Sequence, residues 1–379
     1  MKNVLKWLGS YFKHVDKLLP LICVSLTVFD LFVIHALYTT GDIQYDDFQT
    51  QLFAAIIGLF VSIIVGMIDY KFISKVWFVI GPAALILQLL VYTPLGVQRD
   101  DDLAWLNLGF ITIQPSEIFK VAFIITFATH IAKVGDKLNK FTNILLLGLH
   151  AAIPFGLILI QGDAGSALVF LFICLCMLFA AGISWKYITA AVAATPVVCW
   201  VAWNYVMGPQ HKIRFEVLFD EEMQEAERLN VYMQQFNAKV AMGSGQLTGL
   251  GFHSDSYTYV PEIYNDFIFS YIGMTMGFLG CMGLVIALAV LCLKLLSNST
   301  SADTLLGKSI CVGVFAMMTF NCIINIGMVV SLIPIIGITL PFISAGGTSM
   351  VINYAAIGLV LSVSAHKEKK KHMFYEEKD

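Results

Sequence analysis

Two carboxylates four residues apart, Glu262 and Asp266, stand at the head of a long apolar run in Val260-Pro-Glu-Ile-Tyr-Asn-Asp-Phe-Ile-Phe269. A carboxylate on such a boundary is partly desolvated. Desolvation raises its pKa toward the working pH and suits it to accept a proton as a general base. The same spacing also allows Asn265 or Asp266 to cap the helix that follows. Glu117 and Lys120 make a second constellation, at i and i+3 in Gln114-Pro-Ser-Glu-Ile-Phe-Lys120, where one helical face lets them neutralise each other. An ionisable residue inside a span costs roughly 2.5–3.5 kcal/mol on insertion scales and is a functional candidate by default, a structural ion pair being the other reading. Pro115 suits a first helical position, whose free amides could meet an anion. Asp163, in Gln161-Gly-Asp-Ala-Gly-Ser166, either caps a helix or takes a ligand. Gly243-Ser-Gly-Gln-Leu-Thr-Gly-Leu-Gly251 is a flexible turn or a phosphate cradle, and it matches neither the dinucleotide nor the Walker pattern. Asp30, His35, His130 and His150 form no cluster and read as packing or interfacial residues.

The elements that carry these groups follow from composition. Of 379 residues 58% are hydrophobic and only 13% charged, with a mean hydropathy of +0.79. Soluble domains carry about 25% charged residues, so this chain lacks the polar groups to wet a globule of its size. A soluble enzyme and a disordered chain are both excluded. The net charge of -3 leaves no basic footprint for nucleic acid. All eight cysteines sit in apolar runs and read as small packing residues, not as a disulfide framework. The mixed basic and aromatic start, Met1 to Lys17, does not read as a cleavable signal.

A spanning helix needs about 20 apolar residues. Ten runs qualify, near 19–39, 50–68, 75–93, 115–133, 143–161, 164–183, 187–207, 266–295, 304–333 and 349–366. The expectation is an all-α polytopic membrane protein, with residues 1–18 as a cytoplasmic N-terminus, 19–366 as the membrane domain and 367–379 as a basic cytoplasmic tail. With both termini inside, 17 of the 23 lysines and arginines fall on the cytoplasmic side and 5 outside, as the positive-inside rule expects. Two segments then lie outside: 94–114, with Arg99, Asp100, Asp101, Asp102 and Trp105, and a large loop at 208–265 between the seventh and eighth spans. Loops of that length are usually functional or disordered. The loop's acidic stretch Asp220–Arg228 reads as a possible amphipathic helix.

Four blocks give the chain a resemblance to the SEDS family (shape, elongation, division, sporulation), which includes RodA, FtsW and SpoVE. They are Trp105–Glu117 with Lys120; Gln161–Ser166; Ala241–Gly251 with Val260–Glu262 and Asp266–Phe269; and Asn325–Met328 with Ile333-Pro334, Gly337 and Leu340–Ser344 followed by Gly346-Gly347. The Gly-Ser-Gly-x-Leu-Thr-Gly form is more similar to RodA than to FtsW. The resemblance implies a peptidoglycan glycosyltransferase of the bacterial cytoplasmic membrane that polymerises lipid II into glycan. It implies Asp266 as the general base of an inverting transfer, with Glu262 orienting it or raising its pKa. It further implies cations or oriented amides for the pyrophosphate leaving group, with Lys120, Arg214 and Lys239 as the basic candidates. Glu117, Asp163, Ser344, Gly346 and Gly347 fall in the same blocks as supporting residues. No metal ligand set is expected, although a divalent cation could assist the pyrophosphate. The expected partner is a class B penicillin-binding protein.

The chain departs from the family pattern at several places. Ala104 stands where an arginine is usual, Met274 and Thr275 replace a glutamate pair, Ala345 replaces a tyrosine, and Tyr264-Asn265 replaces His-Thr. These departures leave room for a scaffold that recruits a partner, and ten spans with buried charge would also suit a flippase of lipid-linked sugars. The sequence shows neither an inverted repeat nor a matched pair of broken helices.

Overall fold

The computed structural model describes residues 15–367 except 42, 100, 101, 110, 253, 255 and 256. The N-terminal segment through His14, the tail beyond Lys367, and Asp100 and Asp101 lie outside the described residues. The chain is a multi-pass helical membrane protein. Among the described residues eight helices are long and apolar enough to cross a bilayer, and the stretches Trp77–Tyr92 and Ala164–Ala180 are apolar but shorter.

In chain order the helices are α1 (Leu18–Thr40), α2 (Tyr45–Met67), the short α3 (Tyr70–Lys75), α4 (Trp77–Leu89), α5 (Pro115–Val134), α6 (Phe141–Ile160), α7 (Ala164–Ala180) and α8 (Trp185–Val201). Three helices follow in the large loop: α9 (Pro209–Glu216), α10 (Glu221–Ala226) and α11 (Met233–Ser244). The last three are α12 (Ile268–Thr300), α13 (Leu305–Val329) and α14 (Gly347–Ala365). α13 is the hub, packed against α12, α7, α5 and α14, while α14 lies along α2. No residue of α8 is buried, the pattern of an apolar helix bathed in lipid.

Several termini follow local rules. α5 begins at Pro115, α10 is capped by the Asp220 carboxylate, and α7 by Asp163, whose Oδ1 accepts from the Ser166 amide at 2.8 Å. The all-α expectation misses a small antiparallel sheet, β1 (Gly96–Arg99), β2 (Asp102–Asn107) and β3 (Thr112–Ile113), in that order. Its strands are too short for a strong alternating signal, though Ala104 and Leu106 do turn inward together. The Leu103 amide ties β2 to the Gln161 carbonyl at 3.1 Å.

The ninth expected span runs to residue 333, but α13 ends at Val329. Residues 330–346 are irregular because Pro334 and Pro341 cannot continue a helix. His130 and His150, read from sequence as isolated, meet between α5 and α6 with their Nδ1 atoms 3.2 Å apart. Helix packing brings together residues 20 apart in the chain, which no local spacing shows.

The glycine-rich stretch at 243–251 is a docked turn, not a loose one. α12 breaks at Gly277, with φ 65° and ψ -164°. The turn fills the break: the amides of Leu250 and Gly251 donate to the carbonyls of Met274 and Thr275, and those of Phe278 and Leu279 to Gln246 and Leu247, at 2.9–3.1 Å. Irregular backbone in a membrane domain survives only where protein satisfies it. A Cβ on Gly249, at φ +85°, would lie 2.2 Å from the Thr275 carbonyl oxygen, so only glycine allows this approach.

Candidate active site

The large loop closes over a cavity of about 500 Å³ whose lining includes Asp102, His211, Arg214, Glu262, Asp266 and Gly337. β2 supplies Asp102, α9 supplies His211 and Arg214, and the turn before α12 supplies the two carboxylates. Three acidic and two basic side chains from three distant segments thus face one space. A cavity that converges charge from several elements is the default candidate for chemistry.

Asp266 is fixed from two sides. The Asn325 amide on α13 donates to the Asp266 carbonyl at 2.8 Å and to the Ile338 carbonyl at 2.7 Å. Gly337, at φ +69°, lets the irregular segment run beside the carboxylate, where its Cβ would sit 3.6 Å from Oδ2. The N-cap position of α12 belongs to Phe267, while Asn265 donates to Glu262 Oε2 at 3.3 Å. Glu262 itself has φ 56°, a left-handed conformation that costs a non-glycine residue about 1–3 kcal/mol.

A buried polar network stands behind this turn. Gln51 on α2 donates to Asp30 Oδ2 at 2.7 Å and to the Ser344 carbonyl at 3.2 Å, and its Oε1 accepts from the Gly346 amide at 3.0 Å. The Ala345 amide continues the chain to the Tyr264 carbonyl at 2.9 Å. Ser344 Oγ accepts from the Leu340 amide at 2.8 Å. Ser344, Gly346 and Gly347 therefore shape the loop that backs Asp266, and none of them lines the cavity. Gln51→Leu should lower the unfolding temperature in detergent and strand the Asp30 carboxylate and the Gly346 amide. Each orphaned buried group costs roughly 1–3 kcal/mol. A thermal melt of Gln51→Leu that overlays wild type would show that the network carries no load.

Glu117 and Lys120 are buried and paired at 2.7 Å on α5. Asp163 lies close enough to interact electrostatically with both and accepts from the Gln114 amide at 3.3 Å. This group adjoins the irregular segment, since Gly165 packs directly on Ile336. Lys239, by contrast, is exposed on α11 and donates to the Tyr232 hydroxyl at 2.8 Å. Of the basic candidates, only Arg214 lines the cavity. His211 and Gln51 were not read from sequence as site residues: His211 sits in a loop of unknown path, and Gln51 at the uncertain edge of a span. Among the described residues no three metal-ligating side chains come close enough together to hold a metal ion.

The pattern of the FtsW, RodA and SpoVE cell cycle proteins matches residues 16–369. The chain belongs to that family. It is 30% identical over 365 residues to a probable peptidoglycan glycosyltransferase FtsW of Geobacter sp. (strain M18), covering 92% of this chain and 96% of that one. The peptidoglycan glycosyltransferase MrdB of Escherichia coli (strain K12) is 26% identical, over 94% and 95% of the two chains. In fold, the chain resembles a component of a peptidoglycan synthase complex with a TM-score of 0.79 at 22% identity, over 93% and 99%. Against this FtsW/RodA/SpoVE frame the departures have definite places. Ala104 is buried in β2, Met274 and Thr275 are buried in α12, and the Thr275 hydroxyl is spent on the Tyr271 carbonyl at 2.8 Å. Ala345 contributes only its backbone amide to the network behind Asp266.

Proposed function

We propose that this chain is a peptidoglycan glycosyltransferase that polymerises lipid II, with Asp266 as its general base. The observation that supports this most is the cavity itself, which sets the Asp266 carboxylate in one space with Arg214 and His211. In the proposed reaction the acceptor's 4-hydroxyl attacks the anomeric carbon of the donor sugar. The hydroxyl proton passes to Asp266, the new C–O bond forms, and the old bond from the anomeric carbon to phosphate breaks. Its electron pair leaves on the lipid pyrophosphate, and the configuration inverts. Arg214 offers a fixed cation for the charge that grows on that leaving group, with His211 as a donor beside it. Glu262 orients the turn through its bond from Asn265. A divalent cation bound with the pyrophosphate could share that charge with Arg214.

The topology that suits this chemistry has ten spans, the two shorter apolar helices included, with both termini cytoplasmic and the 208–265 loop outside. The cavity then opens at the outer face of the bacterial cytoplasmic membrane, where lipid II and nascent glycan meet. A class B penicillin-binding protein is the proposed partner, in keeping with the synthase complex whose component shares this fold.

The test is polymerisation of labelled lipid II by the purified chain, alone and with its cognate penicillin-binding protein. Glycan strands from either preparation support the proposal. Movement of labelled lipid II across proteoliposomes with no glycan formed would favour a flippase instead. Neither activity, with the partner still bound, would favour a scaffold.

A further inference from the structure

A second cavity, of about 380 Å³, shares one lining residue with the first, Glu262. Its walls carry four tyrosines, Tyr257, Tyr259, Tyr264 and Tyr271, with Met274 and Glu262. The volume falls within the range of small-molecule sites, roughly 300–1,000 Å³. Tyr257 stacks on Tyr271 with centroids 6.0 Å apart and planes 29° from parallel, so one wall is a ready-made aromatic face. Tyr257 and Met274 are also held in place: the Tyr257 hydroxyl donates to the Gly251 carbonyl at 3.4 Å, and the Thr258 amide to the Met274 sulfur at 3.5 Å.

The two cavities differ in charge. The first holds Arg214 and His211, whereas among the described residues no lysine, arginine or histidine lines the second. A pyrophosphate therefore belongs in the first, where cations meet it. A sugar ring is the opposite kind of ligand. It is uncharged, its C–H face packs on an aromatic ring, and its hydroxyls need donors and acceptors at the rim, which is what amphipathic tyrosines supply. A lipid tail would bury against hydroxyls it cannot satisfy.

We infer that the tyrosine cavity is the saccharide subsite for the acceptor, the sugar that carries the attacking hydroxyl. This rests on the glycosyltransferase reading. Inverting displacement brings the nucleophile to the anomeric carbon from the face opposite the leaving group. With Glu262 in the walls of both cavities, a sugar seated in the second presents its hydroxyl past Glu262 toward Asp266 in the first, while the leaving group departs toward Arg214. The left-handed backbone of Glu262 is then the hinge point between them. Tyr264, one of the departures from the family pattern, lines this subsite and not the first cavity.

The probe is N,N′-diacetylchitobiose, a soluble disaccharide without lipid or phosphate, titrated into the full chain in detergent and read by saturation-transfer NMR. Wild type should bind it. Tyr259→Ala, at a side chain 74% exposed and so without cost to folding, should weaken binding at least tenfold. Tyr259→Phe should keep most of it, and Arg214→Ala should leave it unchanged. No binding by wild type, equal binding by Tyr259→Ala, or loss only in Arg214→Ala would each overturn the assignment. Because the titration involves no turnover, it separates the two claims. Binding through Tyr259 in a chain that makes no glycan from lipid II would sink the polymerase reading and leave a sugar site standing. Glycan synthesis without chitobiose binding would do the reverse.

Discussion

Lys120→Met should destabilise the folded chain by roughly 3–5 kcal/mol, the cost of breaking a buried ion pair from one side. Lys120 is only 2% exposed and its ammonium lies 2.7 Å from Glu117 Oε1. Without it, Glu117 is left as a buried carboxylate whose Oε2 already has no hydrogen-bond partner. Asp163 stands close by, so the loss takes the cation away from a second acidic group as well. The double change Glu117→Leu with Lys120→Met removes both charges and should recover most of the loss, since an apolar replacement of a buried pair is often neutral. Thermal unfolding of the two single variants and the double in one detergent gives the coupling directly. A single Lys120→Met chain as stable as wild type would mean that the buried pair does not stabilise the fold.

Asp266→Asn should slow polymerisation at least about 100-fold while leaving the fold intact. A positioned general base contributes typically 10²–10⁴-fold, and asparagine keeps the size of the side chain while losing its ability to take a proton. The main anchors of this turn are backbone ones, the Asp266 carbonyl accepting from Asn325 and the Phe267 amide donating to the Glu262 carbonyl at 3.2 Å. These survive the substitution, so the melting temperature should stay near that of wild type. Glu262→Gln should cost far less, because Glu262 is exposed and Asn265, which donates to it, can donate equally to an amide oxygen.

The membrane class, the approximate places of the apolar helices and the Glu117–Lys120 pair were all legible in the sequence, because each is a local property of composition or spacing. Asp163 as a cap was equally legible, since its partner Ser166 is three residues away. What lay beyond reach is long-range. Gln51 and Asp30 look like stray polar groups in two spans until α2 is laid against the Ser344–Gly346 turn. Asn325 reads as one more polar residue on a late helix, and only the fold shows it holding residue 266 to residue 338. The glycines at 245, 249 and 277 announce themselves as turn formers, but their purpose is a mutual approach of two segments some thirty residues apart. Lys239 and Arg214 could not be told apart by sequence, because both lie in the same loop. The path of α9 and α11 is what sends one into the cavity and the other to the surface.

The central claim is that one carboxylate at position 266 drives glycan synthesis in this chain. Its most direct measurement is the initial rate of labelled lipid II polymerisation by wild type, Asp266→Asn and Glu262→Gln, purified side by side with the same partner. The rate should be at least about 100-fold lower for Asp266→Asn, with Glu262→Gln within about tenfold of wild type. An Asp266→Asn chain that polymerised at the wild-type rate would contradict it.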